Sequence, residues 1–169
     1  MIPPSPWVVR HAQSIPARGK VLDLACGSGR HARFLAGLGY PVLAVDRDAG
    51  ALAGLSTIEG IMTRQLDLEG EEWPLAGQVF DGIVVTNYLW RPRLPDVLAL
   101  LAPGGALIYE TFMVGNAAYG KPSNPAFLLQ AGELRQLAAA AGLREVEYAE
   151  GYVASPKPAM RQAVCAIRD

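Results

Sequence analysis

The strongest constraint on this chain is a short apolar run that leads directly into a glycine turn and then a helix. Val21-Leu22-Asp23-Leu24-Ala25 is followed by Cys26-Gly27-Ser28-Gly29, and Arg30 to Leu38 then carries a helical period with Gly39 just past its end. A glycine takes positive φ readily and lets a ligand approach the backbone. A helix N-terminus offers unpaired N–H groups and a partial positive charge. This corner is therefore predicted to bind a nucleotide-type cofactor.

The rest of the chain repeats the alternation. Pro41 to Val45, Gly60 to Leu66, Val79 to Thr86 and Ala106 to Phe112 read as buried strands. Asp48 is placed to cap a short helix, Pro92 suits a first turn, and Leu94, Val97, Leu98 and Leu101 share one helix face. Leu134, Leu137, Ala138 and Ala141 mark another helix, and Val146 with Tyr148 and Gln162 to Ile167 read as two last strands. Gly151 to Pro158 is expected as the connection between those two strands. Strands alternating with helices predict an α/β fold, doubly wound around a mostly parallel sheet of about seven strands. With 169 residues, a single domain spanning 1–169 is expected. Met113 to Gln130, rich in Gly, Pro and Asn, is expected as a functional loop, a lid or wall over a ligand site, with Asn116, Tyr119 and Asn124 as bonding groups.

Composition sets outer limits. Hydrophobic residues are 51% and charged residues 18%, and the net charge is −1. Such a balance predicts a globular chain with neither a nucleic-acid nor a membrane surface. Cys26 and Cys165 are too few and too far apart for a disulfide framework or zinc site, and no metal is expected. No leader or membrane-spanning pattern is visible, so a cytoplasmic location is expected.

Two cofactors fit the glycine corner. Gly27, Gly29 and Ala32 satisfy G-x-G-x-x-A, which would make the chain an NAD-dependent oxidoreductase. Asp46, at the end of the second strand, suits a ribose in either case. Asp23 discriminates, because an acid inside a doubly buried strand is costly and dinucleotide folds keep that strand apolar. The oxidoreductase also lacks a catalytic pair, since Tyr119 and Lys121 are too close to form the usual one.

The run Asp23-Leu24-Ala25-Cys26-Gly27-Ser28-Gly29 resembles motif I of class I S-adenosylmethionine (SAM)-dependent methyltransferases. Val45-Asp46, Asp67-Leu68, Phe80-Asp81-Gly82-Ile83-Val84-Val85 and Leu101-Ala102-Pro103-Gly104-Gly105-Ala106-Leu107-Ile108 resemble their later motifs, in order, from Val21 to Phe112. Within the class, the D-L-A-C-G-x-G-R form is similar to small bacterial members such as the tellurite-resistance methyltransferase group. The resemblance implies a seven-stranded Rossmann-like sheet with an antiparallel last strand and SAM as cofactor. It implies that Ala25, Cys26, Gly27 and Gly29 cradle the cofactor and that Asp46, followed by Arg47, holds the ribose. Asp67 and Leu68 would border adenine, and Asn87 would join them at the end of strand four. Asp23 would orient the loop or reach the cofactor's amino group, and Arg30 or Arg10 would meet its carboxylate.

The acceptor is expected beyond strands four and five. Tyr88, Trp90 and Phe112 are candidate walls, and Glu110 is the candidate general base. The Asn-Pro-Pro-Tyr signature of amino-group DNA methyltransferases is absent, which weighs against adenine-N6 chemistry, and the brevity of the chain favours a small-molecule acceptor or a partner-supplied surface. A non-catalytic SAM-binding regulatory module is the remaining alternative. His31 is expected on the helix surface, and neither cysteine as a reactive thiol.

Overall fold

A computed structural model describes residues 2–169. Seven strands form one sheet in the order β3-β2-β1-β4-β5-β7-β6. They are β1 (Val21–Leu24), β2 (Val42–Asp46), β3 (Ile61–Gln65), β4 (Phe80–Thr86), β5 (Leu101–Phe112), β6 (Arg144–Val153) and β7 (Ala159–Ile167). The first five are parallel, and β7 lies antiparallel between β5 and β6. This is the seven-stranded, doubly wound arrangement that the resemblance implies, with the antiparallel last strand in its expected place.

Buried β1 and β4 read as near-continuous hydrophobic runs because both sheet faces are covered. On one face α1 (Pro6–His11), α2 (Arg30–Gly37) and α3 (Ala49–Ala53) pack Val8, Ala32, Leu35 and Leu52 against Val21, Ala44, Val84 and Ile108. On the other, α4 (Leu94–Leu98) and α5 (Glu133–Ala140) cover Leu22, Val45, Ile83 and Tyr109, together with Leu68 and Leu75 from the helix-free 66–79 connection. Asp48 Oδ1 caps α3 at Gly50 N and Ala51 N. Gly39, at φ +94°, closes α2, where Tyr40 N donates to Leu35 O.

Several boundaries differ from the periodicity. Pro103-Gly104-Gly105 lies within β5 rather than ending α4, because pairing with β4 begins at Leu101 and resumes at Ala106 after a register shift. Strand β6 extends to Val153, so the link to β7 is shorter than Gly151 to Pro158. The alternating charges of β6 hid its length, since it is an edge strand with little to bury. The 113–130 segment is not structureless. It carries 3-10 turns at Asn116–Ala118 and Pro125–Phe127 and closes through a Met113–Leu129 bridge.

The chain runs from β1 outward through β2 to β3, then returns to lay β4 on the other side of β1. That reversal opens a crevice beyond the carboxyl ends of β1 and β4, where ligands bind in open α/β sheets.

Candidate cofactor and acceptor cleft

A cavity of about 510 Å³ occupies this crevice. Its wall is contributed by successive strand ends: Ala25 after β1, Asp46 and Arg47 at β2, Leu66 to Glu69 after β3, Asn87 to Leu89 after β4, and Thr111 and Phe112 on β5. Five strand ends spaced about 4.8 Å apart make a cleft roughly 19 Å long, suited to an extended ligand rather than a compact one. Pro122 and Phe127 bring the 113–130 segment to the same cleft.

The glycine corner is built from the strand side. Ala25 and Asn87 hold positive φ at the ends of β1 and β4, so the chain turns sharply where both residues border the cleft. Asp46 Oδ2 accepts from Gly27 N and Oδ1 from Asp48 N, both at 2.9 Å, so one carboxylate ties β2 to the loop after β1. A Cβ built on Gly27 meets nothing within 4 Å, whereas one on Gly29 falls 2.5 Å from both Leu55 methyl groups. The first glycine thus borders open space and the second packs against the core. Asp67 Oδ1 accepts from Glu69 N, and Tyr88 donates its hydroxyl to Glu69 across the same end of the cleft.

Asp23 lies beneath the corner, 1% exposed. Gly29, at the N-cap of α2, has no side chain to cap with, and Asp23 supplies a carboxylate to the Ala32 N–H instead. Burial raises its pKa to about 7, against the opposing pull of Ala32 N–H and Arg30. Its Oδ2 has no partner among the described residues. An orphaned carboxylate oxygen, an open glycine and a strand-end acid fit a cofactor carrying an amino group and a ribose.

His31 is buried, not on the surface as its helix position suggested. Its Nε2 accepts from Ser5 N at 3.0 Å, and Nδ1 lies 3.3 Å from Thr86 Oγ1. Burial, reinforced by Arg30, lowers its pKa to about 4. Asp23 keeps its proton in the folded state from its ordinary 3.8 up to about 7, so stability falls as pH rises through that window. His31 stays neutral when folded, whereas the unfolded chain protonates it below 6.5, so stability rises with pH from about 4 to 6.5. The two slopes oppose. His31→Gln is expected to expose the Asp23 slope, a loss of up to about 1.4 kcal/mol per pH unit between pH 4 and 7. Denaturant unfolding across pH measures it, and a flat profile in the variant contradicts the assignment.

Other predicted residues lie elsewhere. Arg10 pairs with Glu147 on β6 at 2.7 Å, outside the cleft wall. Arg30 Nη1 donates to Pro3 O. Cys26 contacts Gly27 O, and burial, with Asp23 and Asp46 nearby, pushes its thiol far above the ordinary range. Glu110 accepts from the Ser5 hydroxyl and lies 3.8 Å from Arg161, away from the cleft wall. Tyr88, Leu68 and Phe112 line the cleft, and Trp90 does not. Asn116 spends its amide on Pro122 O and Met160 N, Asn124 caps its own turn, and Tyr119 stacks on Tyr152. These three side chains hold the loop rather than face the cleft.

Sequence reasoning missed Arg91 and Arg161. Arg91 binds Glu133, Ala126 O and Leu128 O, anchoring the 113–130 segment to the start of α5. Nothing local in the sequence signals these Arg91 contacts, because Glu133, Ala126 and Leu128 are all remote from it in the chain.

The strand order and the cleft are those of class I SAM-dependent methyltransferases, and the chain belongs to the methyltransferase-domain family, whose model matches residues 21–105. The chain is 32% identical over 154 residues to Hemagglutinin 1 of Eikenella corrodens, covering 85% of this chain and 50% of that protein. It spans about half or less of the length of the curated relatives it matches. TehB of Haemophilus influenzae superposes with a TM-score of 0.77 at 24% identity, covering 96% of this chain and 61% of that one. The 1,6-didemethyltoxoflavin-N1-methyltransferase of Burkholderia thailandensis, solved with 1,6-didemethyltoxoflavin and S-adenosylhomocysteine, superposes at 0.70 with 22% identity, covering 96% and 76%. Among the described residues no metal-ligand cluster occurs, and no helix is long and apolar enough to cross a membrane.

Proposed function

We propose that this domain transfers the methyl group of SAM to a small acceptor seated between the ends of β4 and β5 and the 113–130 segment, in the cytoplasm. The observation that carries the reading is the continuous cleft from Asp67 past Asp46 and Ala25 to Asn87 and Phe112, with Gly27 tied to Asp46 beside it. In this reading Asp46 holds the ribose diol, Gly27 leaves room for the cofactor, and Asp67 with Leu68 borders adenine. When bound, SAM supplies a methyl group already activated by its sulfonium, so in-line placement carries most of the work. Phe112 and Phe127 give the acceptor an apolar wall and exclude water, while Tyr88 borders the Asp67 end of the cleft. Glu110, engaged by Ser5 and lying off the cleft wall, is not placed to take a proton from the acceptor. The Burkholderia neighbour, with its bound small heterocycle, supports a small acceptor.

S-adenosylhomocysteine is expected to raise the melting temperature by mass action, and NAD to leave it unchanged. Stabilisation by NAD alone would refute the reading. Phe127→Ala is expected to lower turnover about tenfold while sparing S-adenosylhomocysteine affinity, because closure completes the acceptor side. Equal loss of both in paired turnover and titration measurements would place Phe127 against the cofactor instead. The net charge of −1 predicts weak nucleic-acid binding with a shallow salt dependence. Tight binding at low salt, with a slope of several counterions, would instead point to an RNA or DNA acceptor.

A further inference from the structure

The arginines of this chain differ sharply in how fully they are bonded. Arg91, with a side chain 37% exposed, makes four hydrogen bonds, and Arg93, at 21%, makes three. Arg168 donates to three backbone carbonyls. Arg161 is more buried than Arg91 or Arg93, at 17% exposed, yet among the described residues it makes a single hydrogen bond, from Nη2 to Asn87 Oδ1 at 2.7 Å. The nearest carboxylate, Glu110, stands 3.8 Å away, beyond hydrogen-bond reach, and accepts from Ser5 instead. A guanidinium has five in-plane N–H donors, and leaving them unbonded in a desolvated place is costly.

Arg161 stands behind the cleft wall, beside Glu110, and is held against two residues that form that wall. Arg161 sits opposite Phe112 in the β5–β7 register, and its guanidinium lies 4.5 Å from the centre of that ring. Stacking uses the face of the guanidinium and leaves its edge for a planar partner. Phe112 and Asn87, the two residues that hold it, both line the cleft at the ends of β5 and β4. This is the end remote from Asp67, where the acceptor belongs. Burial disfavours the Arg161 cation most, the Glu110 carboxylate opposes that, and the nearby Arg30 charge adds to it.

We infer that Arg161 is the acceptor-specificity residue, receiving a carboxylate of the methyl acceptor on its guanidinium edge while Phe112 and Asn87 hold it in place. The substrate class is then a small carboxylate-bearing molecule whose methylated atom lies elsewhere on its skeleton. This rests on the methyl-transfer reading above. The same chemistry could come from the methionine carboxylate of the cofactor, so the test must separate the two sources.

The test uses the full chain saturated with S-adenosylhomocysteine and titrated calorimetrically with benzoate, with benzamide as the uncharged isostere. Benzoate is expected to bind in the roughly millimolar range and benzamide about tenfold more weakly or worse. Arg161→Gln should lose about tenfold or more of the benzoate affinity while S-adenosylhomocysteine affinity stays within about twofold, which also reports that the fold is intact. Arg161→Lys, keeping the charge without the planar fork, should fall between. Benzoate binding that is absent, matched by benzamide, or unaltered in Arg161→Gln overturns the proposal. It is equally overturned if Arg161→Gln weakens S-adenosylhomocysteine about tenfold but spares 5′-methylthioadenosine, which lacks the carboxylate, since the cofactor then owns the site. Failure of the unaltered protein to bind S-adenosylhomocysteine at all would bring down the methyl-transfer reading itself, and this proposal with it.

Discussion

Asp46→Ala is expected to weaken S-adenosylhomocysteine binding by about 1–3 kcal/mol, or roughly 5- to 150-fold in Kd. The loss has two sources. Under the proposed assignment the ribose diol loses a charged acceptor, and charge-assisted hydrogen bonds are the stronger kind. Asp46 also tethers Gly27 N at 2.9 Å, so its removal frees the turn that the cofactor packs against. Asp46→Asn retains one acceptor oxygen and should fall between. The side chain is only partly buried at the cleft edge, so the fold should survive in both variants. Isothermal titration checks the affinity and thermal unfolding checks the fold. Undiminished affinity in Asp46→Ala would remove this residue from the ribose site.

The two loop glycines should fail in different ways. Gly29→Ala places a methyl group 2.5 Å from both Leu55 methyls, at φ +84°, and Leu55 is fully buried. Left-handed backbone costs about 1–2 kcal/mol for a non-glycine residue, and overpacking costs typically about 1–3 kcal/mol. The summed loss, roughly 2–5 kcal/mol, corresponds to a fall in melting temperature of roughly 5–20 °C for a chain of this size. Gly27→Ala meets nothing within 4 Å and carries only the backbone term at φ +57°. It should unfold only slightly earlier but bind S-adenosylhomocysteine markedly less well, because its methyl group enters the space proposed for the cofactor. Thermal unfolding and ligand titration of the two variants separate the roles. Wild-type affinity in Gly27→Ala would mean that this space is not the cofactor's.

Much of the architecture is legible in the sequence. Strand β1, the glycine turn and α2 follow from local rules: an apolar run, two positions that need glycine, and a helical period stopped by Gly39. The order of the strand ends then placed Asp46, Asp67 and Asn87 on one rim, because parallel strands joined by crossovers end on the same side. Boundaries failed where burial gave no pattern, as in edge strand β6, or where strand pairing overrode turn chemistry, as at Pro103-Gly104-Gly105 in β5.

What sequence by itself determined about this protein is its local grammar: the elements, their order and the strand-end positions from which a cofactor site is made. Tertiary structure alone decided the partners of its charged and titratable side chains. Arg10 met Glu147 across the chain, His31 was buried under Ser5 and beside Thr86, and Asn116 turned inward to Pro122 and Met160. Arg161, unremarkable in a run of strand residues, became a sparsely bonded cation beside the cleft only because β7 folds back against β5. Periodicity and propensity act over a few residues, whereas a charge is stabilised or left wanting by groups that the fold brings from tens of positions away.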